Sequence, residues 1–376
     1  MGLYLDNAAT TPLRPDVKQY IIDILDIYGN PSSVHQIGVQ GRDIILTARK
    51  NVAKFINADE DEIIFTSSGS AANNLAIMGY LDVDHRNDYN VFYSPIAHKS
   101  ILKCMDKYGF RAEALKVDSK GIIDFKDLND KLCHSTEKFL VVVDYANSEI
   151  GTVQDVRIII KLVHAYGGIV ALDCTGSIPY IPVDVKDLDV DMIMFSGHKL
   201  GALKGCGVLY KKKHITLSPL VYGSQEQGLF GGTENVIGIA SLSKAVENYN
   251  YDSISDEKRV FLWNRLSELV ANIELVGDRE HRLPYNLYVC VKGVSGEALA
   301  IMLDLNGYCV STGSACNSGS LQASHTLQAI DMDEADQLCC VRITLNGNET
   351  YEELISFSKV FADLVNGLMV MGYGEE

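Results

Sequence analysis

No stretch of this sequence approaches the run of about 18 apolar residues that a membrane-spanning helix requires. Basic residues are also scarce: 33 Lys and Arg face 49 Asp and Glu, and the formal net charge is −16 at pH 7. Such an acidic chain is poorly suited to bind nucleic acid or an anionic membrane. The first residues lack the basic and then apolar pattern of a secretion signal. We therefore expect a cytoplasmic protein with neither of these partners.

Cysteine pairs with metal-ligand spacing are missing as well. The nine cysteines are an odd number and contain no C-x-x-C motif, and the nine histidines show no metal-ligand spacing with cysteine or carboxylate. This pattern is typical of reduced thiols in the cytosol and argues against both a disulfide framework and a zinc site. We predict no bound metal.

Short apolar runs alternate with helix-like segments over the first two thirds of the chain. They include residues 62–66, 91–93, 139–144, 169–173 and 192–195. This alternation predicts an α/β fold whose mostly parallel sheet is covered by helices on both faces. Because 376 residues exceed one ordinary core and residues 251–257 resemble a boundary, we predict two domains. The large domain spans 15–250, and 1–14 with 251–376 form a smaller α+β domain.

Two charged residues stand at the ends of apolar runs. Lys199 follows Ser196, Gly197 and His198, and a partly desolvated lysine there can form a Schiff base with an aldehyde. A surface lysine is the commoner explanation of that feature alone. Asp173 ends the preceding run, where a carboxylate needs a cationic partner. Enzymes that use pyridoxal 5'-phosphate (PLP) place a carboxylate against the pyridinium nitrogen, whereas the alternative role for Asp173 is a turn or a helix N-cap.

Gly69 and Ser70 join an apolar run to a helix-like segment. Backbone N–H groups at a helix N-terminus, together with a small hydroxyl, form an anion site that suits a phosphate. A glycine–serine turn is common, so this motif alone equally describes an ordinary strand-to-helix connection.

A series of motifs extends over almost the whole chain, at residues 4–11, 29–33, 73–77, 97–100, 147–152, 196–199, 232–235 and 311–316. In content and order they resemble the cysteine desulfurases of the NifS/IscS type, which are class-V aminotransferase-like PLP enzymes of fold type I. The resemblance implies a mostly parallel sheet of seven strands in the large domain, PLP as cofactor and a homodimer. It implies that L-cysteine becomes L-alanine while sulfur passes to a protein acceptor, either an iron–sulfur scaffold or a thiolation protein.

The same resemblance assigns roles to individual residues. Lys199 binds the cofactor and moves the substrate α-proton, Asp173 faces the pyridine nitrogen, and His98 stacks on the ring and assists proton transfer. The remaining cofactor contacts are Gly69, Ser70, Ser196 and His198 for the phosphate, Thr233 reaching it from a second subunit, and Asn147 at the phenolic oxygen. The substrate contacts are Arg342, Asn147 and Asn30.

Cys316 is the predicted nucleophile. Residues 311–324 are rich in Gly, Ser, Ala and Asn and contain only Leu321 as a bulky side chain, so we expect a mobile loop with an accessible thiol. Mobility suits a thiolate that must attack the substrate sulfur and then carry a persulfide to an acceptor. Most other cysteines, such as Cys104 and Cys290, are expected to be small buried apolar residues.

Arg342 lies in the apolar run Val341-Arg342-Ile343-Thr344. A guanidinium group matches an α-carboxylate through two parallel hydrogen bonds, and the resemblance places the substrate-binding arginine here. The alternative is a structural salt bridge.

Several pocket positions depart from the family pattern. Gly176 stands where the family has glutamine beside the phenolic oxygen, Leu229-Phe230 replaces a segment that carries arginine, and Gly201 follows the lysine segment in place of tyrosine. Two alternatives therefore stay open. One is another fold type I enzyme, such as an aminotransferase or a selenocysteine or cystine lyase, and the other is a catalytically impaired desulfurase-like binding protein.

Overall fold

The computed structural model describes residues 2–83, 89–135, 137–312 and 324–370. Within these ranges the strands are β1 (Leu3–Tyr4), β2 (Ile63–Thr66), β3 (Asn90–Tyr93), β4 (Ala112–Ala114), β5 (Phe139–Asp144), β6 (Ile169–Asp173), β7 (Met192–Ser196), β8 (Gly207–Lys211), β9 (Ile273–Leu275), β10 (Asn286–Val291), β11 (Tyr308–Cys309) and β12 (Cys340–Thr344).

The helices in the same ranges are α1 (Pro15–Ile24), α2 (Gln36–Phe55), α3 (Gly69–Leu81), α4 (Lys99–Tyr108), α5 (Phe125–His134), α6 (Val156–Ala165), α7 (Val185–Leu188), α8 (Val236–Val246), α9 (Glu257–Leu269), α10 (Gly296–Leu305), α11 (His325–Ala329), α12 (Glu334–Gln337) and α13 (Tyr351–Val370). Over the described part of the chain, no helix combines the length and the apolar character needed to cross a membrane.

The largest sheet has seven strands in the order β2-β8-β7-β6-β5-β3-β4. Strand β8 is antiparallel to both of its neighbours, whereas the other pairs are parallel. Strands β5, β7 and β8 are buried along their whole length, which explains why they read as continuous apolar runs. The predicted α/β fold with a mostly parallel sheet of seven strands is confirmed.

Alternate residues of the central strands feed two separate cores. Val141, Val143 and Leu172 belong to the core that also contains Ala48 of α2 and Ile159 of α6. On the other face Leu140, Val142 and Ala171 pack with Leu75 of α3 and Ile101 of α4. Because side chains alternate between faces with a period of two, the last residues of β5 and β6 point toward the face that α3 and α4 cover.

A second, antiparallel sheet has β10 between β9 and β12. It packs with α9, α10 and α13 through residues such as Leu287, Leu299 and Phe357, and Leu5 joins this core. The N-terminal strand β1 pairs in parallel with β11, so the first residues of the chain lie beside this second sheet and its helices. The predicted domain limits at 14/15 and 250/251 stay a prediction.

Asp191, which precedes β7, carries a buried carboxylate that joins several elements. Its side chain is 4% exposed, and it accepts hydrogen bonds from Nε2 of His164 at 2.8 Å and from the backbone N–H of Val170 at 2.9 Å. Lys212 donates to it at 3.1 Å. The bond to Asp191 raises the pKa of His164 above its usual 6.5. Burial acts to raise the pKa of Asp191, but the bond from His164 and the other partners hold it below its usual value.

His164→Gln is expected to destabilise the protein more at about pH 6 than at about pH 9. The folded-state pKa of His164 is raised, so its charge stabilises the fold below 6.5, and this contribution is lost as the pH rises through the raised value. Because the ring is 25% exposed, solvent screening limits the difference to about 1 kcal/mol. Urea unfolding at both pH values measures it, with the exposed His214→Gln as the control. An equal loss of unfolding free energy at both pH values would show that the charge of His164 does not stabilise the fold.

Candidate active site

A cavity of about 520 Å³ opens at the carboxyl ends of β5, β6 and β7. Parallel α/β sheets place ligands at this edge, because the strand ends and the helix N-termini meet there. The N-terminal ends of α3 and α4 form part of its wall, and Arg342 of β12 reaches it from the second sheet. The cavity therefore lies between the two sheets.

Most of the residues predicted to form the site line this one cavity. They are Gly69, Ser70, His98, Asn147, Asp173, Ser196, His198, Lys199 and Arg342. Asn30 and Thr233 do not: both are exposed and lie outside its wall. Cys316 lies outside the described residues. No cluster of three or more potential metal ligands occurs in the ranges that the structure describes.

Asp173 is held in place at the end of β6 by two neutral donors. Its Oδ2 accepts a hydrogen bond from Nδ2 of Asn73 at 2.8 Å, and its Oδ1 accepts one from the backbone N–H of Thr175 at 2.8 Å. The residue is 4% exposed. These two donors orient the carboxylate without neutralising its charge, so the site suits a ligand that presents a protonated nitrogen.

His98 is the N-cap of α4, and its ring opens into the cavity. The Nδ1 atom accepts a hydrogen bond from the backbone N–H of Ser100 at 3.1 Å. Desolvation by the surrounding protein lowers the pKa of His98, and Lys199 and His325 act in the same direction against the charge of Asp173. A neutral ring that accepts at Nδ1 carries its proton on Nε2. His98 is therefore a hydrogen-bond donor toward a ligand.

The N-terminus of α3 combines with small hydroxyl side chains. A Cβ atom at Gly69 would lie 3.2 Å from Cβ of Ser196 and 3.3 Å from Oγ1 of Thr175, so a larger residue would crowd this corner. The Thr175 hydroxyl is buried and has no hydrogen-bond partner among the described residues. A helix N-terminus beside an unpartnered hydroxyl group fits a phosphate.

His198 is engaged with the N-terminal segment of the chain. Its Nδ1 lies 3.0 Å from Oγ1 of Thr10. Desolvation, followed by the charges of Lys199 and Lys204, lowers the pKa of His198 to about 4. The ring is therefore neutral at physiological pH and can act only as a hydrogen-bonding group.

The Asn147 side chain organises the turn after β5. Its Oδ1 accepts hydrogen bonds from the backbone N–H groups of Glu149 and Ile150, each at 2.9 Å, and its Nδ2 donates to the carbonyl of Ile96 at 2.7 Å. Glu149 in turn accepts from the hydroxyl of Tyr288 at 3.0 Å. One amide hydrogen of Asn147 is left for a ligand, and its predicted contact with the cofactor or the substrate stays a prediction.

Arg342 forms the structural salt bridge that its position allowed. One terminal nitrogen pairs with Oδ1 of Asp6 at 2.8 Å, and the other donates to the carbonyl of Ser148 at 3.3 Å. Arg342 is 5% exposed, and its Nε is buried without a partner in the described structure. Because Arg342 also lines the cavity, the ion pair fixes its side chain at the cavity wall. The predicted contact with a substrate carboxylate stays a prediction.

The positions that depart from the family pattern are built into the backbone and the core. A Cβ atom at Gly176 would lie 2.7 Å from the carbonyl oxygen of Ala146, so the chain here leaves no room for a side chain. Gly201 has a φ of 78°, which favours glycine. Leu229 and Phe230 pack against the core beside α3 and do not line the cavity.

Sequence reasoning missed several members of the site. Asn73 and Thr175 orient Asp173, and Ser324 and His325 close one side of the cavity. The clearest omission is Asp144, which ends β5 as Asp173 ends β6 and also lines the cavity. The sequence did contain a signal for Asp144, because it is a carboxylate at the end of an apolar run, as Asp173 is.

The chain is similar along nearly its whole length to known proteins. A model of the class-V aminotransferase family matches residues 3–357, so the chain belongs to that family of proteins. The cysteine desulfurase IscS of Dictyoglomus turgidum is 37% identical, over 94% of this chain and 91% of that protein. The putative cysteine desulfurase IscS 1 of Bacillus subtilis is 38% identical, over 97% and 99%. This chain belongs to the cysteine desulfurase family, which confirms the resemblance seen in the sequence.

Solved structures agree with this assignment. A NifS-like protein superposes with a TM-score of 0.90 at 29% identity and covers 98% of this chain and 100% of its own. The structure of SspA in complex with cysteine has a TM-score of 0.81 at 28% identity and covers 93% of this chain and 100% of its own.

Arg342→Gln is expected to lower the free energy of unfolding by about 2–4 kcal/mol, because it leaves the Asp6 carboxylate without its partner in a largely buried setting. Asp6→Asn should cost a similar amount. The double variant should cost clearly less than the sum of the two single variants, since both remove the same interaction.

Chemical denaturation of the wild type and the three variants measures this coupling. Lys103→Gln is the matched control, because its ion pair with Asp106 is 80% and 69% exposed and is worth less than about 1 kcal/mol. Strictly additive losses for Arg342 and Asp6 would show that the pair does not stabilise the fold.

Proposed function

We propose that the protein is a PLP-dependent L-cysteine desulfurase that forms L-alanine and leaves a persulfide on Cys316. The observation that carries the proposal is the convergence of Lys199, Asp173 and Arg342 on one cavity at the carboxyl ends of the strands. Full-length similarity to cysteine desulfurases supports the choice of reaction.

The donor set of the cavity fits the chemical parts of PLP. The N-terminus of α3, with the hydroxyl groups of Ser70 and Ser196 and the unpartnered hydroxyl of Thr175, would hold the phosphate. The oriented carboxylate of Asp173 would accept a hydrogen bond from the protonated ring nitrogen, and Lys199 would bind the aldehyde. When bound, the cofactor holds the amino group of the substrate and withdraws electrons from its α-carbon.

Three residues of this chain would act on the substrate. Arg342 would bind the α-carboxylate while Asp6 keeps the guanidinium group in place. The amine of Lys199 would take the α-proton and return it later. His98, neutral and protonated on Nε2, would donate a hydrogen bond without adding positive charge to the cavity.

Cys316 would take the sulfur. Residues on both sides of the segment that carries Cys316 lie at the site: Ser311 forms a bridge with Arg342, and Ser324 and His325 line the cavity. Both ends of the segment that carries Cys316 are thus fixed beside the site. In the transfer the thiolate attacks the substrate sulfur, an S–S bond forms, and the C–S bond breaks. Its electron pair stays on the substrate carbon, which is then protonated to give alanine.

A homodimer is part of the proposal because two predicted contacts lie outside the cavity of their own chain. Thr233 and Asn30 are exposed and would complete the site of a second copy. The chain between α1 and α2 carries large exposed apolar side chains, including Tyr28 at 80% and Val34 at 93% exposure. Association of two copies would cover these side chains.

The sulfur acceptor would be a protein, either an iron–sulfur scaffold or a thiolation protein, that accepts the persulfide sulfur from Cys316. A cytoplasmic location belongs to the same proposal. All eight cysteines in the described ranges are free thiols, which suits a reducing compartment.

Cys316→Ser is expected to leave the fold and PLP binding unchanged but to reduce alanine and sulfide formation from cysteine to background. A serine hydroxyl ionises far above neutral pH and is a poor nucleophile toward sulfur. The measurement is the rate at which alanine and sulfide form from cysteine in the presence of a thiol reductant. Mass spectrometry of the cysteine-treated wild type should find an additional sulfur atom on the peptide that contains Cys316.

Cys133→Ser is the matched control, since Cys133 is an exposed free thiol on α5 away from the cavity, and it should retain turnover.

Near-normal sulfide release by Cys316→Ser would favour a lyase instead. Transfer of an amino group without release of sulfur would favour an aminotransferase. Failure of the wild type to bind PLP would favour the impaired binding protein.

A further inference from the structure

Asp144 is a second buried carboxylic acid at the same end of the sheet. It ends β5 and is the direct partner of Asp173 across the parallel ladder to β6. Ladder partners in a sheet point to the same face, and both residues line the cavity. Asp144 is 5% exposed, so its charge would be largely removed from water.

The Asp144 carboxyl group is weakly satisfied: the Ser94 hydroxyl and the backbone N–H of Asp144 lie close enough to lower its pKa, but neither forms a well-aligned bond with it. Neither of its oxygens, nor the nearby buried hydroxyl of Ser94, makes a hydrogen bond of normal geometry within the described residues. By contrast, Asp173 accepts two hydrogen bonds. An ionised carboxylate without well-aligned donors is costly to bury, and two adjacent carboxylates disfavour double ionisation. Asp144 is therefore the less favourable of the two places for a negative charge.

The electrostatic surroundings lead to the same assignment. Burial raises the pKa of Asp144 to about 6, against the opposing effect of its backbone N–H and the Ser94 hydroxyl, and the charge of Asp173 also raises it. The other titratable or charged groups on the cavity wall are His98, Lys99, Glu149, His198, Lys199, Lys204, His325 and Arg342. Asp173 is the ladder partner of Asp144 and the charged group that raises its pKa, so we treat the two carboxyl groups as one unit.

We propose that Asp144 is a positioning residue for the cofactor: a neutral acid beside Asp173 whose ionisation adds a second negative charge at the ring-nitrogen end of the cavity. This inference rests on the proposed function in taking PLP as the ligand. With Asp144 protonated, the carboxyl pair carries one negative charge. After ionisation it carries two and attracts a protonated pyridine nitrogen more strongly.

The test compares PLP binding to the wild type and Asp144→Asn across about pH 5.5 to 8. Asparagine has the shape of the neutral acid and does not ionise. The two dissociation constants should be similar at the acidic end, and the variant should bind more weakly than the wild type by on the order of ten-fold at the alkaline end. The midpoint should lie at about 6. Taking the ratio of the two constants cancels the ionisation of PLP itself.

Ser94→Ala is the matched control, because it removes the neighbouring hydroxyl without removing the charge. It should keep the pH-dependent change, with the midpoint at a higher pH, since the Ser94 hydroxyl acts to lower the pKa of Asp144. A ratio that is constant over the whole pH range, with both proteins folded and binding PLP, would overturn the inference and leave the proposed function intact.

A second measurement uses the cofactor-free chain and does not depend on PLP. The folded-state pKa of Asp144 is raised, so the wild type should lose stability relative to Asp144→Asn as the pH rises from 3.8, the ordinary pKa of the group, to about 6. A constant stability difference would overturn the inference. If Asp144→Asn does not fold, the Ser94→Ala variant, which keeps Asp144, provides the test. Its infrared spectrum should contain the band of a protonated carboxyl group at low pH, and this band must disappear as the pH rises through the pKa of Asp144. If the wild type does not bind PLP, the proposed function is wrong, but the stability measurement still tests whether Asp144 is protonated in the folded chain.

Discussion

A carboxylate buried at the end of a parallel strand needs compensation for its charge, and this requirement shapes the site around Asp173. The protein supplies two neutral hydrogen bonds, from Asn73 of α3 and from the backbone N–H of Thr175. These donors orient the carboxylate while leaving most of its charge to be balanced by a ligand. A protonated nitrogen on the cofactor would provide that balance, and α3 would both fix the acid and present its N-terminus to the phosphate.

The sheet brings the remaining groups to the same place. Because β5, β6 and β7 are parallel, their polar terminal residues meet at one edge. Arg342 comes from the second sheet, and its ion pair with Asp6 ties that sheet to the N-terminal segment. The cavity is therefore formed where the two sheets meet, and its electrostatic balance depends on both of them. The same pairing of β5 with β6 that positions Asp173 also places Asp144 beside it.

Much of this arrangement could be predicted from the sequence. The continuous apolar runs indicated buried parallel strands, and the residues after those runs indicated the cavity edge, so Lys199 and Asp173 were found together. Strand pairing depends on contacts between distant segments, which is why the role of Asp144 went unnoticed although its local signal matched that of Asp173. Asn30 and Thr233 were assigned through the resemblance, and their exposure in a single chain follows if a second copy supplies the facing cavity. The role of Cys316 rests on the composition of its segment and on the resemblance.

The central claim is that the cavity binds PLP through Lys199, and the attachment point of the cofactor tests it most directly. The protein would be incubated with PLP, reduced with borohydride and digested, and the modified peptide would be identified by mass spectrometry. The account predicts a pyridoxyl group on Lys199 and none in Lys199→Ala, although Lys99 and Lys204 also line the cavity. Attachment to either of those lysines, or no attachment to the wild type, would contradict it.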